Sequence, residues 1–255
     1  MKLRNIGTTG PHRPNKDNVE PLRRRGIYLL PNLLTTAALF AGFYAIVAGT
    51  KGHFEAAAIA LFVAMVLDTL DGRVARLTGT QSAFGAEYDS LSDMVSFGVA
   101  PALLGFHWIL STMGKLGWLA AFIYAAATAL RLARFNTQLG FSDKRYFLGL
   151  PCPAAAAVVA GMVWIGTEFH IPAKHTGFFM AFVLISLGLL MVSNVRYHSF
   201  KEINFKEHVP FFALLGMVLG FSVIAWDPPV ILSTIFFAYA LSGPVLWLKH
   251  YYAKR

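Results

Sequence analysis

Residues 54–93 read FEAAAIALFVAMVLDTLDGRVARLTGTQSAFGAEYDSLSD, an apolar stretch of helical length that runs straight into a cluster of carboxylates. Five of the chain's 13 acidic residues, Asp68, Asp71, Glu87, Asp89 and Asp93, fall in its last part, 68–93. A carboxylate at the centre of a membrane helix costs about 2.5–3.5 kcal/mol on insertion scales, so several together need a compensating partner. Asp68 and Asp71 stand three apart and Asp89 and Asp93 four apart, which puts each pair on one helix face. The short connection at 78–84 predicts that the two helices are antiparallel neighbours, bringing both pairs to the same depth. Four facing carboxylates repel unless cations lie between them, and oxygen-only ligation selects hard ions such as Mg²⁺ or Mn²⁺. Two ions are the expected number. Glu87 is out of phase with the others and reads as a solvated or interfacial acid. On these residues alone the sodium or proton site of a cation-coupled transporter also stays open.

The rest of the chain agrees with a membrane setting. Of 255 residues, 56% are hydrophobic and 14% charged, more apolar surface than one soluble core of this size can bury. A helix needs about 18 or more apolar residues to cross a hydrocarbon core of roughly 30 Å. On that measure the sequence predicts an all-α, polytopic membrane bundle of about eight helices, at 27–49, 54–77, 84–110, 116–135, 151–169, 177–194, 209–226 and 229–248. All Lys and Arg except Lys51, Lys115 and Lys174 then fall on one side. That bias predicts cytoplasmic termini, with a basic arm at 1–26, a membrane domain at 27–248 and a tail at 249–255. Asp68 lies well along its helix, so the rise of about 1.5 Å per residue puts the site toward the cytoplasmic face.

The net charge of +9 follows from this asymmetry and calls for no nucleic acid partner. The segment 17–30 reads either as an interfacial helix on the anionic leaflet or as a mobile arm. The first 26 residues contain no apolar core of a signal peptide. Cys152 is the only cysteine, so no intrachain disulfide is expected.

Gly72 and Ala75 follow Asp71 with almost no side-chain bulk, room for a planar ligand against the helix. Arg76 at the same end reads as a counter-ion of the acids or as a phosphate ligand. Gly85 reads as a site of close helix approach or ligand contact. Taken together, Asp68-Thr-Leu-Asp71-Gly72-Arg-Val-Ala75-Arg76, then Gly85, Asp89 and Asp93 at their spacings, resembles the signature of the CDP-alcohol phosphotransferase family at all eight of its fixed positions. The resemblance implies that Asp68, Asp71, Asp89 and Asp93 bind metal and that Asp93 is also the general base. It implies that Gly72, Ala75, Arg76 and Gly85 line the cytidine diphosphate pocket, and that the enzyme is a homodimer.

Looser stretches, among them Pro31-Asn32-Leu-Leu-Thr35, Ser92-Asp93-Met-Val-Ser96 and Arg131-Leu-Ala-Arg134-Phe-Asn136, resemble the serine-using branch of that family. They imply transfer of a phosphatidyl group from CDP-diacylglycerol to L-serine in the cytoplasmic membrane. Glycerol 3-phosphate or an inositol phosphate are the rival acceptors. Asn32 and Thr35 are expected to contact the nucleotide, although Asn32 also reads as a backbone partner beside Pro31. Arg131 and Arg134 share a helix face at the cytoplasmic end of the fourth span, and with Asn136 they form a candidate serine site. Arg196 and Lys201 are further cations on the same side, and Cys152 reads as packing.

Overall fold

A computed structural model of the protein describes residues 22–137, 146–171, 173–198 and 211–253. Nine α-helices occur among them: α1 (Leu22–Thr50), α2 (Phe54–Thr78), α3 (Ala83–Asp93), α4 (Ala100–Trp108), α5 (Lys115–Thr137), α6 (Cys152–Glu168), α7 (Ala173–Val192), α8 (Phe211–Trp226) and α9 (Pro228–Ala253). A π-helical turn at Met94–Val99 joins α3 to α4, so these two make one continuous run inside the predicted third span. Leu29–Thr50, Lys115–Thr137 and Pro228–Lys249 are long and apolar enough to cross a membrane, and Cys152–Glu168, Thr176–Val192 and Leu215–Trp226 are shorter apolar helices. Large side chains such as Phe40, Phe122, Phe182 and Phe221 are exposed around the bundle, as expected of a surface solvated by lipid. The part of the 17–30 arm before Leu22 lies outside the described residues.

The core near the acidic segment is built from small residues. Ala38, Ala41, Ala45 and Ala48 of α1 and Ala57, Ala58, Ala60 and Ala64 of α2 are all buried, which lets the two backbones pack closely along their length. The seam between α1 and the run containing α3 is tighter still. A Cβ on Gly42 would sit 2.5 Å from Ser96 Oγ and 2.7 Å from Ser96 Cα. Ser96 Oγ donates to Ala38 O at 3.2 Å, and Ser92 Oγ donates to Thr35 O at 3.2 Å. Within the π turn the carbonyl of Phe97 accepts from the buried Tyr124 hydroxyl of α5 at 3.1 Å. Gly42→Val therefore has to push α1 off the Ser96 backbone, a cost of about 1–3 kcal/mol or more for overpacking. A lowered melting temperature in detergent is expected; an unchanged one would mean that the seam is loose.

α2 ends where Gly79, at φ 64°, takes the left-handed conformation and returns its N–H to Ala75 O. Ser82 then caps α3 by accepting from Gly85 N at 3.0 Å. The turn is as short as expected, but α2 and α3 make few backbone contacts with each other. Both pack on α1 instead. The carboxylates converge as expected, with aspartate side chains rather than backbones closing the distance between the two helices.

One element went unforeseen. Tyr146–Leu148 (β1) pairs antiparallel with Arg196–His198 (β2), with Phe147 opposite Tyr197. Gly149, at φ 77°, donates its N–H to Val195 O and closes the ribbon. Tyr197 is buried, and its hydroxyl donates to Ala240 O of α9 at 3.0 Å. Burial, with Tyr239 alongside, pushes the Tyr197 phenol up to about 12, so it stays a donor at physiological pH.

A candidate metal and nucleotide site

Asp68 and Asp71 belong to α2, Asp89 and Asp93 to α3. One carboxylate oxygen from each of Asp68, Asp71 and Asp89 lies within 4.8 Å of the others. The Asp93 carboxyl completes the group through hydrogen-bond contact with Asp68. Two carboxyl groups in contact must share a proton or a cation between them. Asp71 is buried and accepts from Thr35 Oγ1 at 2.7 Å, through Oδ2. Asp89 Oδ1 is buried with no hydrogen-bond partner. A buried acceptor left so costs about 1–3 kcal/mol, which a bound cation would remove. The donor set is all carboxylate oxygen, closely spaced, with an orphaned atom inside it. These residues fit a hard divalent cation.

The residues around the acids occupy distinct places. The Arg76 guanidinium folds back over Gly72, with Nη1 3.5 Å from where a Gly72 Cβ would stand, and its charge acts on Asp71. Ala75 is half-buried one turn beyond Asp71, its carbonyl engaged by the turn that ends α2. Gly85 faces Asn32 of α1, whose Oδ1 would lie 3.4 Å from a Cβ at that position. Asn32 and Gly85 are thus brought together, and Pro31 lies inside α1 instead of opening it. Glu87 is exposed, as its phase predicted.

The expected serine residues separate. Arg131 of α5 points Nη1 at Cys152 Sγ, at 3.1 Å, on the first residue of α6. Its Nε is buried without a partner, and Cys152 is within electrostatic reach of Asp93. Asn136 is tied to Ser90 of α3, its Nδ2 3.1 Å from Ser90 Oγ. Arg134 instead bonds Val192 O at 3.2 Å and Asn194 Oδ1 at 2.6 Å, anchoring the end of α5 to the end of α7. Arg196 lies on β2, and Lys201 is outside the described residues.

Residues 28–195 match the model of the CDP-alcohol phosphatidyltransferase family. The chain belongs to that family. Members of this family are metal-dependent transferases, which agrees with the acidic cluster. Among curated relatives, a CDP-diacylglycerol–serine O-phosphatidyltransferase of Helicobacter pylori is 38% identical over 223 residues, 87% of this chain and 92% of that protein. One of the same description from Mycobacterium tuberculosis is 33% identical over 235 residues, covering 88% and 81% of the two chains. An archaetidylserine synthase of Methanothermobacter thermautotrophicus is 35% identical over 176 residues, covering 66% and 69%. In CDP-alcohol phosphatidyltransferase terms, the matched span holds all four aspartates, α1 to α7 apart from the first residues of α1, and the Arg131–Cys152 contact.

Sequence reasoning missed the partners that hold the aspartates in place. The Thr35–Asp71, Ser92–Thr35 and Ser90–Asn136 bonds all cross between helices. A signal was present: Ser92 and Ser96 are four apart, as are Ala38 and Gly42, the spacing of two small-residue faces that pack together.

Proposed function

We propose that the protein transfers the phosphatidyl group of CDP-diacylglycerol to L-serine, releasing CMP, at the Asp68–Asp71–Asp89–Asp93 site. The supporting observation is that signature carboxylates from two helices converge around an orphaned oxygen, in a chain similar over most of its length to enzymes described as CDP-diacylglycerol–serine O-phosphatidyltransferases. Two divalent ions, Mg²⁺ or Mn²⁺, held by these residues would neutralise the diphosphate and the charge developing on CMP. Asp93 accepts the proton of the serine hydroxyl. The serine oxygen then bonds to the lipid-side phosphorus as the bond to CMP breaks and CMP leaves. A carboxylate is a weak base for an alcohol, so positioning carries much of the rate. Arg76 offers the phosphates a cation from beside Asp71, and Asn32, Gly72, Ala75 and Gly85 frame the cytidine. Family resemblance supports a homodimer, and the one-sided distribution of Lys and Arg supports cytoplasmic termini.

Arg131 is the residue best placed for the serine carboxylate, because its Nε is a buried donor awaiting an acceptor, on a side chain bonded to Cys152, which the charge of Asp93 reaches. Asn136 and Arg134 frame the same end of α5. A hydrogen bond to a charged group contributes about 1.5–3 kcal/mol, so Arg131→Met should raise the apparent KM for serine about 10- to 100-fold. The KM for CDP-diacylglycerol should hold. Steady-state kinetics checks this, and mass spectrometry of the lipid product identifies the acceptor. An unchanged serine KM would remove Arg131 from the site; phosphatidylglycerol phosphate or an inositol lipid as the product would replace serine as the acceptor.

A further inference from the structure

The two halves of the carboxylate cluster sit on helices that hardly touch, so something else has to set the spacing between them. Both α2 and α3 pack on α1, and one residue of α1 bonds to each. Thr35 Oγ1 reaches Asp71 Oδ2 at 2.7 Å, while Thr35 O receives Ser92 Oγ at 3.2 Å, on the residue immediately before Asp93. The same hydroxyl lies 3.1 Å from Pro31 O, but it has one proton to give, and the closer, charged oxygen is the stronger acceptor. Thr35 is only 4% exposed, which leaves almost no surface for a nucleotide to touch. Ser92 is equally enclosed, at 3% exposed, so water offers neither group a ready substitute partner.

We propose that Thr35 is a positioning residue of the metal site: its side chain orients Asp71, and its carbonyl fixes the turn of α3 that carries Asp89 and Asp93. This replaces the nucleotide contact expected of Thr35 from the sequence. It rests on the reading above only in requiring a divalent ion at the aspartates, and it is independent of the acceptor. Partners that orient ligating carboxylates typically govern metal affinity by about 10- to 100-fold.

The test is Mn²⁺ binding, followed by electron paramagnetic resonance on purified protein in detergent, without lipid substrate or acceptor. Thr35→Val keeps the shape and removes the donor; it should weaken Mn²⁺ binding about 10- to 100-fold. Thr35→Ser restores the hydroxyl and should bring affinity back close to that of the unaltered protein. At saturating Mn²⁺ the KM for CDP-diacylglycerol should be unchanged in both. Unaltered Mn²⁺ affinity in Thr35→Val, with a raised KM for the nucleotide lipid, would overturn the proposal and return Thr35 to the nucleotide. If Thr35→Val lacks a melting transition, Ser92→Ala gives the same reading through the α3 bond alone: weaker Mn²⁺ binding supports the proposal, and unchanged binding overturns it. Mn²⁺ binding that depends on Thr35, in a protein that does not use serine, would leave the proposal standing and remove the acceptor assignment.

Discussion

Asp93→Asn is expected to lower kcat by about 10²- to 10⁴-fold, the range supplied by a positioned general base. The amide keeps the shape and an oxygen able to face a cation, but it cannot accept the serine proton. Binding of the CDP-lipid should survive, because the other three aspartates still converge within 4.8 Å and Arg76 remains beside Asp71. The variant separates the two roles proposed for this residue. Asp93 touches Asp68, as a ligand in a shared metal site would, and its charge reaches Cys152, which in turn contacts Arg131. Single-turnover measurements with bound CDP-diacylglycerol distinguish these roles. Full activity would sink the base assignment, and loss of nucleotide binding along with turnover would reduce Asp93 to a metal ligand.

Removing divalent metal should abolish turnover altogether. It should also destabilise the protein, since the carboxylates are then left to face each other and the buried Asp89 Oδ1 keeps no counterpart. An ion that binds only the folded state at about 100 times its Kd adds about 2.7 kcal/mol of stability. Mn²⁺ or Mg²⁺ added after chelation should therefore raise the melting temperature and restore CMP release together. Asp89→Asn should blunt both effects. Activity that persists in excess chelator would contradict a metal site at these aspartates.

Much of the site was legible because its chemistry lies in single helices at fixed spacings. Asp68 with Asp71, and Asp89 with Asp93, share faces by helical geometry alone, and their cost in an apolar segment made them conspicuous. The helices were equally plain: apolar length is a strong signal, and the observed bounds of α2, α5, α6 and α9 fall within a few residues of the expected ones. What sequence could not give was the set of interactions between helices. Nothing local shows that the Thr35 hydroxyl reaches Asp71 on another helix. Arg134 and Arg131 looked equivalent at a spacing of three, yet one anchors α7 and the other keeps a free buried donor. β1 and β2 are three residues each, too short to show alternation, and they form because two distant connections meet beside α9. The short turn between α2 and α3 brought their carboxylates together as expected, but it could not show that both helices pack mainly on α1.

The central claim, metal-dependent transfer of a phosphatidyl group to serine, is tested most directly by CMP release from CDP-diacylglycerol by the purified protein in detergent. L-serine, glycerol 3-phosphate and inositol phosphate should be compared, each with Mn²⁺ or Mg²⁺ and with chelator. The account predicts CMP release that requires both L-serine and divalent metal. Release with another acceptor would keep the chemistry and change the substrate. Absence of release under every condition, with cation-driven flux in reconstituted vesicles, would contradict the account and favour a transporter.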